Sequence, residues 1–582
     1  MTTQRVISTF RDSTKLCRDV RITPMTPKIS PARVWTVLVL ALCCTEVNVT
    51  AQDAELVAAM TDIATLTGEP SVLSAAGLTN EMDRLLTIEN TSAFSPADTR
   101  RRAVLVAGLD GDRASGDVAL EAVRWFKTVA DAKFRSEWSV SVLPLANPET
   151  QQSLSFPPED GFYNDPVVPE LRYLWRWVTY QAPDVVIELR SGAEIDVVTG
   201  SKAHRSLMDA LSDPDNGNGL GIVQTIVVTV PDGAISQVLP SVLSGVVERS
   251  PLRDQLQRRL VREPLAIARL LADRYPGTPG MAYIPSVAWV HTLRLATLVR
   301  DAALIAKVLR EVDPWLSGDQ PLVGERISFA SLAGTMVFSE LQNIDQVDGP
   351  RAQSLADQGV SLAGQEEAPG QPVYGSGWSD DIFLGTVAAS LAGDTDGLAA
   401  AVRLVGRYAE LLQQSNGLWH HAPDAPTAWG RGNGFAALGL AELLTALPNE
   451  HPGRATVLEI YQQQMSGLRA FQGPDGLWRQ VVDMEGSYRE TSVTALTVTA
   501  MARGVRLGWL DSSYAPVIER GWRGILSHVV EDGTLVDVCI STGSGTTLEH
   551  YLHRTAVNGA DDRGGALILG AALEMHALAT AQ

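Results

Sequence analysis

The chain has 582 residues, 45% of them hydrophobic and 20% charged, a globular balance that excludes disordered and collagen-like classes. At roughly 100–200 residues per domain, that length calls for two or more folded units. With 47 Lys plus Arg against 67 Asp plus Glu the net charge is -20, a field that repels nucleic acid and argues against it as a partner.

Residues 34–44 (VWTVLVLALCC) form an apolar run behind Lys28 and Arg33 and ahead of VTA at 49–51. The run falls short of the ~20 residues a membrane span needs and matches a signal-peptide core, with cleavage expected after Ala51. The reading is therefore a leader over 1–51 that adds nothing to the fold, and an exported protein, periplasmic or secreted, with no membrane association after cleavage. Loss of the leader takes away a net +4 and leaves -24. Cys17, Cys43 and Cys44 leave with it, so Cys539 remains alone and no intrachain disulfide is expected.

From about 99 to 230, strand candidates (AVLVAGL at 103–109, WSVSVLPLA at 138–146, DVVIELR at 184–190, GIVQTIVVTV at 221–230) alternate with helical stretches, an α/β pattern. From about 250 onward amphipathic helices dominate. In 394–417, Asp394 or Asp396 caps a helix whose apolar positions are Val402, Leu404, Val405, Tyr408, Leu411 and Leu412, and Asn416-Gly417 stops it. A turn recurs as NGLW at 416–419, DGLW at 475–478 and DGTL at 532–535. That spacing predicts a repeated helical hairpin, and six such hairpins across 250–582 would make an (α/α)6 barrel, with a helical solenoid as the alternative.

In the first half, AGLDGDRAS at 107–115, ANPE at 146–149 and DVVIELRSG at 184–192 resemble the zinc carboxypeptidase fold over roughly residues 80–245. Asp110, Arg113 and Arg190 stand where that family carries its His, Glu and His ligands. A guanidinium has no acceptor for a metal, so no zinc site and no peptidase activity are expected there. Two readings stay open: a fork of Arg113 and Arg190 for a carboxylate, or an internal ion network of these two with Asp110.

In the second half, GSGWSDDIFLG at 375–385, NGLWHHAPDAPTAWGRGNGFAALGLAELL at 416–444, LPNEHPGR at 447–454, DGLWRQVVDMEGSYRETSVTA at 475–495, DVC at 537–539, YLHR at 551–554 and NGADDRGGA at 558–566 resemble the unsaturated rhamnogalacturonyl hydrolases, glycoside hydrolase family 105, and the related family 88. The resemblance runs from about 285 to 580. It implies two domains: an α/β carboxypeptidase-like domain without zinc at 52–248, then an (α/α)6-barrel glycoside hydrolase domain at 249–582.

The implied reaction hydrates the carbon 4–5 double bond that a lyase leaves in a terminal uronate of an oligosaccharide. One carboxylic acid protonates carbon 4 and, as carboxylate, takes a proton from the water that adds at carbon 5; the hemiketal then opens and releases the neighbouring sugar. Such an acid must be protonated at rest, by burial or by a second carboxylate. By the resemblance Asp424 is that acid, although Pro423 stands before it where the family commonly has Trp, and Asp380 is the second Asp, with Asp381 competing for its role. Helix capping is the alternative for both Asp380 and Asp424. Trp378, Trp419, Trp429 and Trp478 are candidates to stack on sugar faces or to pack the core. His420 or His421 is expected to bind the carboxylate or a hydroxyl, or to face solvent, and Arg431, Asn433, Arg479 and Gln480 are further substrate candidates. Arg431, Arg479, Arg489, Arg554 and Arg563 would make one barrel rim cationic. The glycines at 430, 432 and 434 are read as permitting close backbone approach. No metal and no organic cofactor is implied. The alternatives are a saturated-substrate (α/α)6 glycosidase and a catalytically inactive carbohydrate-binding protein.

Overall fold

A computed structural model describes residues 51–92, 95–149, 154–156, 168–200, 206–213, 222–342, 344, 349–390 and 395–581. The apolar run at 34–44 and the cap candidate Asp394 lie outside the described residues.

Seven strands form a mixed sheet: β1 (Ser71–Leu78), β2 (Arg84–Asn90), β3 (Arg101–Ala107), β4 (Trp138–Leu143), β5 (Val185–Ser191), β6 (Asp196–Thr199) and β7 (Gln224–Val230), in the order β1-β2-β4-β3-β5-β7-β6. β4, β3, β5 and β7 run parallel, and β1, β2 and β6 are added antiparallel. The four strand candidates all form parallel strands. β1, β2 and β6 went unread because Ala, Gly and Ser in SVLSAAGL and charge in RLLTIEN carry little apolar alternation. In β3 the period of two is clear. Ala103, Leu105 and Ala107 face Val118, Val123 and Phe126, while Val104 and Val106 face Leu174 and Trp177. The second face belongs to a hydrophobic core that continues without a break into the helical half.

In that half, inner helices Tyr283–Val299, Phe329–Leu332 with Met336–Leu341, Asp381–Ser390, Gly430–Ala446, Thr491–Arg506 and Asp562–Ala581 pack in a closed ring. Outer helices Ala302–Leu316, Gly349–Ala363, Thr395–Leu412, Arg454–Ala470 and Ala515–His528 follow the first five, making an (α/α)6 barrel. The sixth outer helix is Pro264–Arg274, which precedes the barrel in sequence and packs on the last inner helix. Six hairpins in chain order, as the spacing predicts, are thus replaced by five and a closure that joins the two ends of the segment.

The recurring turn is one structure built three times. Gly417, Gly476 and Gly533 have φ of 87, 90 and 84°, and Asn416, Asp475 and Asp532 accept from the backbone two residues on at 3.0, 3.1 and 2.8 Å. Each turn is closed by a pair of backbone bonds in the same register, such as Gln414 N–H to Leu418 O and Gly473 N–H to Leu477 O. An Asx side chain followed by a residue in the left-handed region explains the Asn/Asp-Gly signature. Each turn leads from an outer helix back toward an inner one, and so delivers the following residues to the same rim.

Candidate active site

The rim at the inner-helix N-termini holds a cleft of about 400 Å³, lined among others by Tyr283, Arg326, Trp378, Asp380, Trp429 and Arg431. Asp380 immediately precedes the inner helix Asp381–Ser390, and its carbonyl accepts from Phe383 and Leu384 N–H at 3.0 Å. Capping is therefore done by its backbone, which leaves the carboxylate facing the cleft.

His421 lies against that carboxylate, with Nε2 3.3 Å from Asp380 Oδ2. Its Nδ1 is 2.7 Å from Tyr551 Oη, which also accepts from Gly545 N–H at 3.0 Å. Because Gly545 occupies an acceptor site of the phenol, its O–H is assigned to Nδ1 and the imidazole proton to Nε2, toward Asp380. Trp429 and Trp378 flank the imidazole with ring centroids 4.5 and 5.3 Å away. The loops carrying the pair are tied by Ser379 N–H to His421 O at 2.8 Å. Gly432 lets helix Gly430–Ala446 approach this point, since a Cβ there would press on Ser379 Oγ and Trp429.

Asp424 sits elsewhere. Ala422 and Ala425 exchange backbone bonds at 3.0 and 3.4 Å, with Pro423 and Asp424 as the two central residues of the turn. Proline at the first central position presets that turn and puts Asp424, exposed, at its tip. The burial expected of the acid is absent, and Asp424 is not among the cleft walls, although its charge, like that of Asp380, raises the Tyr551 phenol behind the leading effect of burial.

Several other expectations are corrected by burial. Asp381 also borders the cleft, but its buried carboxylate is committed: it accepts from Ser376 N–H and Oγ, Gly377 N–H and Tyr408 Oη at 2.7–3.0 Å, closing the loop before the helix. Burial pushes its carboxyl up to about 6, against the effect of those bonds. Asn433 is fully buried and clamps the backbone of Trp419 and Trp429 at 2.8–3.0 Å. Trp419 and Trp478 are core residues, the latter donating to Leu468 O at 2.7 Å. Arg479 and Arg489 are buried on the sheet side of the hairpin they share, and Arg479 lines a separate cavity. Gln480 is buried, with Nε2 on Tyr551 O at 3.2 Å. His420 is half-buried; burial lowers its pKa, with Asp483 opposing. Of the rim arginines, Arg563 pairs with Asp561 at 3.0 Å and Arg554 donates to Thr542 Oγ1 at 3.2 Å. Arg431 lines the cleft but donates to Cys539 O and Ile540 O at 2.5 and 2.6 Å.

The cation left open is Arg326, exposed at the cleft and without an ion pair among the described residues. Sequence reasoning missed it, along with Tyr283 and Tyr551. The first two precede the strongest motifs, and Tyr551 stands in YLHR, where nothing local marks a tyrosine as facing a histidine 130 residues away.

In the sheet half, Asp110, Arg113 and Arg190 are all exposed. Arg190 donates to Glu188 of its own strand at 2.5 and 2.7 Å, and Asp110 accepts from Asp112 N–H at 3.2 Å. The internal ion network is thus replaced by local pairing on the surface.

The site is thus a carboxylate and an aromatic-walled cleft at one rim of an (α/α)6 ring. Residues 375–579, which hold Asp380, His421, Trp429 and Tyr551, match the model of Glycosyl Hydrolase Family 88. The chain is 34% identical over 111 residues to an unsaturated 3S-rhamnoglycuronyl hydrolase of Alteromonas sp. (strain LOR), covering 19% of this chain and 27% of the relative. It is 31% identical over 141 residues to the unsaturated rhamnogalacturonyl hydrolase YesR of Bacillus subtilis (strain 168), covering 23% of this chain and 39% of the relative. The chain therefore spans well under half the length of either. A solved structure described as a possible GH105 member from Salmonella enterica superposes at a TM-score of 0.48 and 17% identity, over 55% of this chain and 94% of that one.

Proposed function

We propose that the protein hydrates the carbon 4–5 double bond of terminal unsaturated uronates in lyase-generated oligosaccharides, releasing the neighbouring sugar. The observation that carries this reading is the Asp380–His421 pair on the wall of the cleft, within the family-matched segment. Asp380 takes the acid/base role that the resemblance gave to Asp424. As the acid it protonates carbon 4, and as carboxylate it accepts a proton from the water adding at carbon 5, while His421, backed by Tyr551, packs 3.3 Å from Oδ2 and orients it. Trp378, half-buried on the cleft, offers a face to the sugar ring, and Arg326 meets the uronate carboxylate because Arg431 is committed to carbonyls. Water and proton transfer suffice for this chemistry, so no cofactor is assigned.

We also propose export, on the apolar run at 34–44, and a carboxypeptidase-like ancestry without zinc for the sheet half, supported by β3 running into the 108–112 loop and β5 ending at Arg190-Ser191-Gly192.

The test is loss of the ultraviolet absorbance of the conjugated uronate when the protein is incubated with lyase digests of several acidic polysaccharides. Decay on one digest names the substrate class. A flat signal on all of them, from folded protein, favours a saturated-substrate glycosidase or a binding protein.

A further inference from the structure

Strands Trp478–Arg479 and Arg489–Glu490 form a hairpin that meets the sheet on one side and, on the other, segment 428–430, which carries the cleft residue Trp429. On the sheet side, Arg489 Nη2 donates to both oxygens of Glu89 on β2 at 2.9 and 3.1 Å. Its Nε pairs with Asp475. Glu89 and Arg489 are 1% and 2% exposed, and Glu89 also accepts from Thr87 Oγ1 at 2.9 Å and Trp177 Nε1 at 3.2 Å. Beside them Arg479 Nη2 reaches Ser74 Oγ on β1 at 3.2 Å, and Arg84 pairs with Glu485 at 2.6 Å.

On the barrel side, Gly430 N–H donates to Gln480 O at 2.7 Å and Val482 N–H to Ala428 O at 2.9 Å, which brackets Trp429. Gln480 Nε2 holds the Tyr551 carbonyl at 3.2 Å, and Tyr551 Oη holds His421, which faces Asp380. A set of hydrogen bonds thus runs from β2 through the hairpin to His421, whose Nε2 lies 3.3 Å from Asp380 Oδ2. A buried ion pair is a poor source of net stability, because desolvating both charges offsets most of their attraction. What it does supply is one fixed geometry, since any displacement strands a charge in the core.

We propose that the sheet half serves the barrel as a template, with Glu89 a positioning residue that fixes hairpin 478–490 and, through it, Trp429, Tyr551 and His421. The assignment of a catalytic consequence rests on the proposed hydration reaction; the mechanical part does not.

The test uses the full chain carrying Glu89→Gln, which keeps shape and removes charge, alongside Arg84→Ala, which breaks the half-exposed pair. Hydrogen exchange is followed by mass spectrometry and turnover on an unsaturated uronide. Exchange is expected to rise at 478–490 and also at 428–434 and 549–552, with kcat down about tenfold and KM within about twofold, the pattern of a catalytic group held less exactly in place. Exchange that rises only in β2 and helix Pro169–Gln181, or an unchanged kcat, overturns the proposal. If Glu89→Gln does not fold, Arg84→Ala is judged by the same criteria with smaller changes. If the wild type turns over no unsaturated uronide, the function reading fails, and the exchange pattern still decides whether the sheet positions the rim.

Discussion

Asp380 and His421, 41 residues apart in the chain, meet at 3.3 Å on the cleft wall, and the far nitrogen of the imidazole is held by Tyr551 at 2.7 Å. Asp424, three residues beyond His421, is turned to solvent by the Pro423 turn. Replacing Asp380 by Asn is therefore expected to lower kcat by about 10²-fold or more, and Asp424→Asn by less than about tenfold. Initial rates on an unsaturated uronide decide this, and equal losses would return the acid role to Asp424.

Tyr551→Phe removes the donor to His421 Nδ1 and leaves Gly545 N–H without its acceptor. A stability loss of about 1–3 kcal/mol is expected for buried groups left unpaired. Beyond that loss, kcat should fall with KM unchanged, because the imidazole facing Asp380 is no longer held in one tautomer and orientation. A variant with lower stability and an unchanged kcat would reduce Tyr551 to a packing role.

Arg326 is expected to act on binding alone. Arg326→Ala should raise KM by about tenfold, the worth of one charge-assisted bond, and leave kcat in place. Added salt should raise KM of the wild type and have little effect on the variant. A fall in kcat at constant KM would remove Arg326 from the carboxylate.

His291, on the inner helix Tyr283–Val299, is buried, and its Nδ1 bonds Ala566 O at 3.1 Å. Burial is the main cause that lowers its pKa to about 4. The unfolded chain binds that proton near 6.5 and the folded one does not, so this stability is present above about 6.5 and lost as pH falls through about 4, on the order of 3 kcal/mol. Denaturant titrations at pH 7.5, 5.5 and 4.5 should show a shallower acid loss in His291→Gln than in the wild type. Parallel losses would contradict a neutral His291.

The three turn glycines should differ in cost. All have positive φ, so Ala costs about 1 kcal/mol or more at each. A Cβ at Gly417 or Gly476 would also overlap the backbone of Gln463 or Arg520, whereas at Gly533 it would meet the Arg274 side chain at 3.1 Å, which can move. Thermal melts should rank Gly533→Ala as the mildest, and a reversed order would count against the shared turn geometry.

Much of this protein was legible in its sequence because the signals were local. The four parallel strands carry apolar runs bounded by turns. In helix Thr395–Leu412, Leu404, Val405, Tyr408 and Leu412 are buried as their spacing predicts, with Leu411 the exception on the exposed side. The Asn/Asp-Gly turns marked the barrel repeat, and Gly430 and Gly434 do admit close neighbours.

What the tertiary structure decided is which of the motif residues face the cleft. Trp378 and Trp429 reach it while Trp419 and Trp478 are core, yet all four follow Gly-rich or turn sequences of the same kind. Arg431, Arg479 and Arg489 are spent on carbonyls or buried carboxylates, some of them on strands about 400 residues away in sequence. A residue type and its local turn set what chemistry a side chain can perform. Whether it meets solvent, core or substrate depends on what the folded chain brings against it, and for Glu89, Arg489, Tyr551 and Asp380 those partners come from segments that share no local pattern.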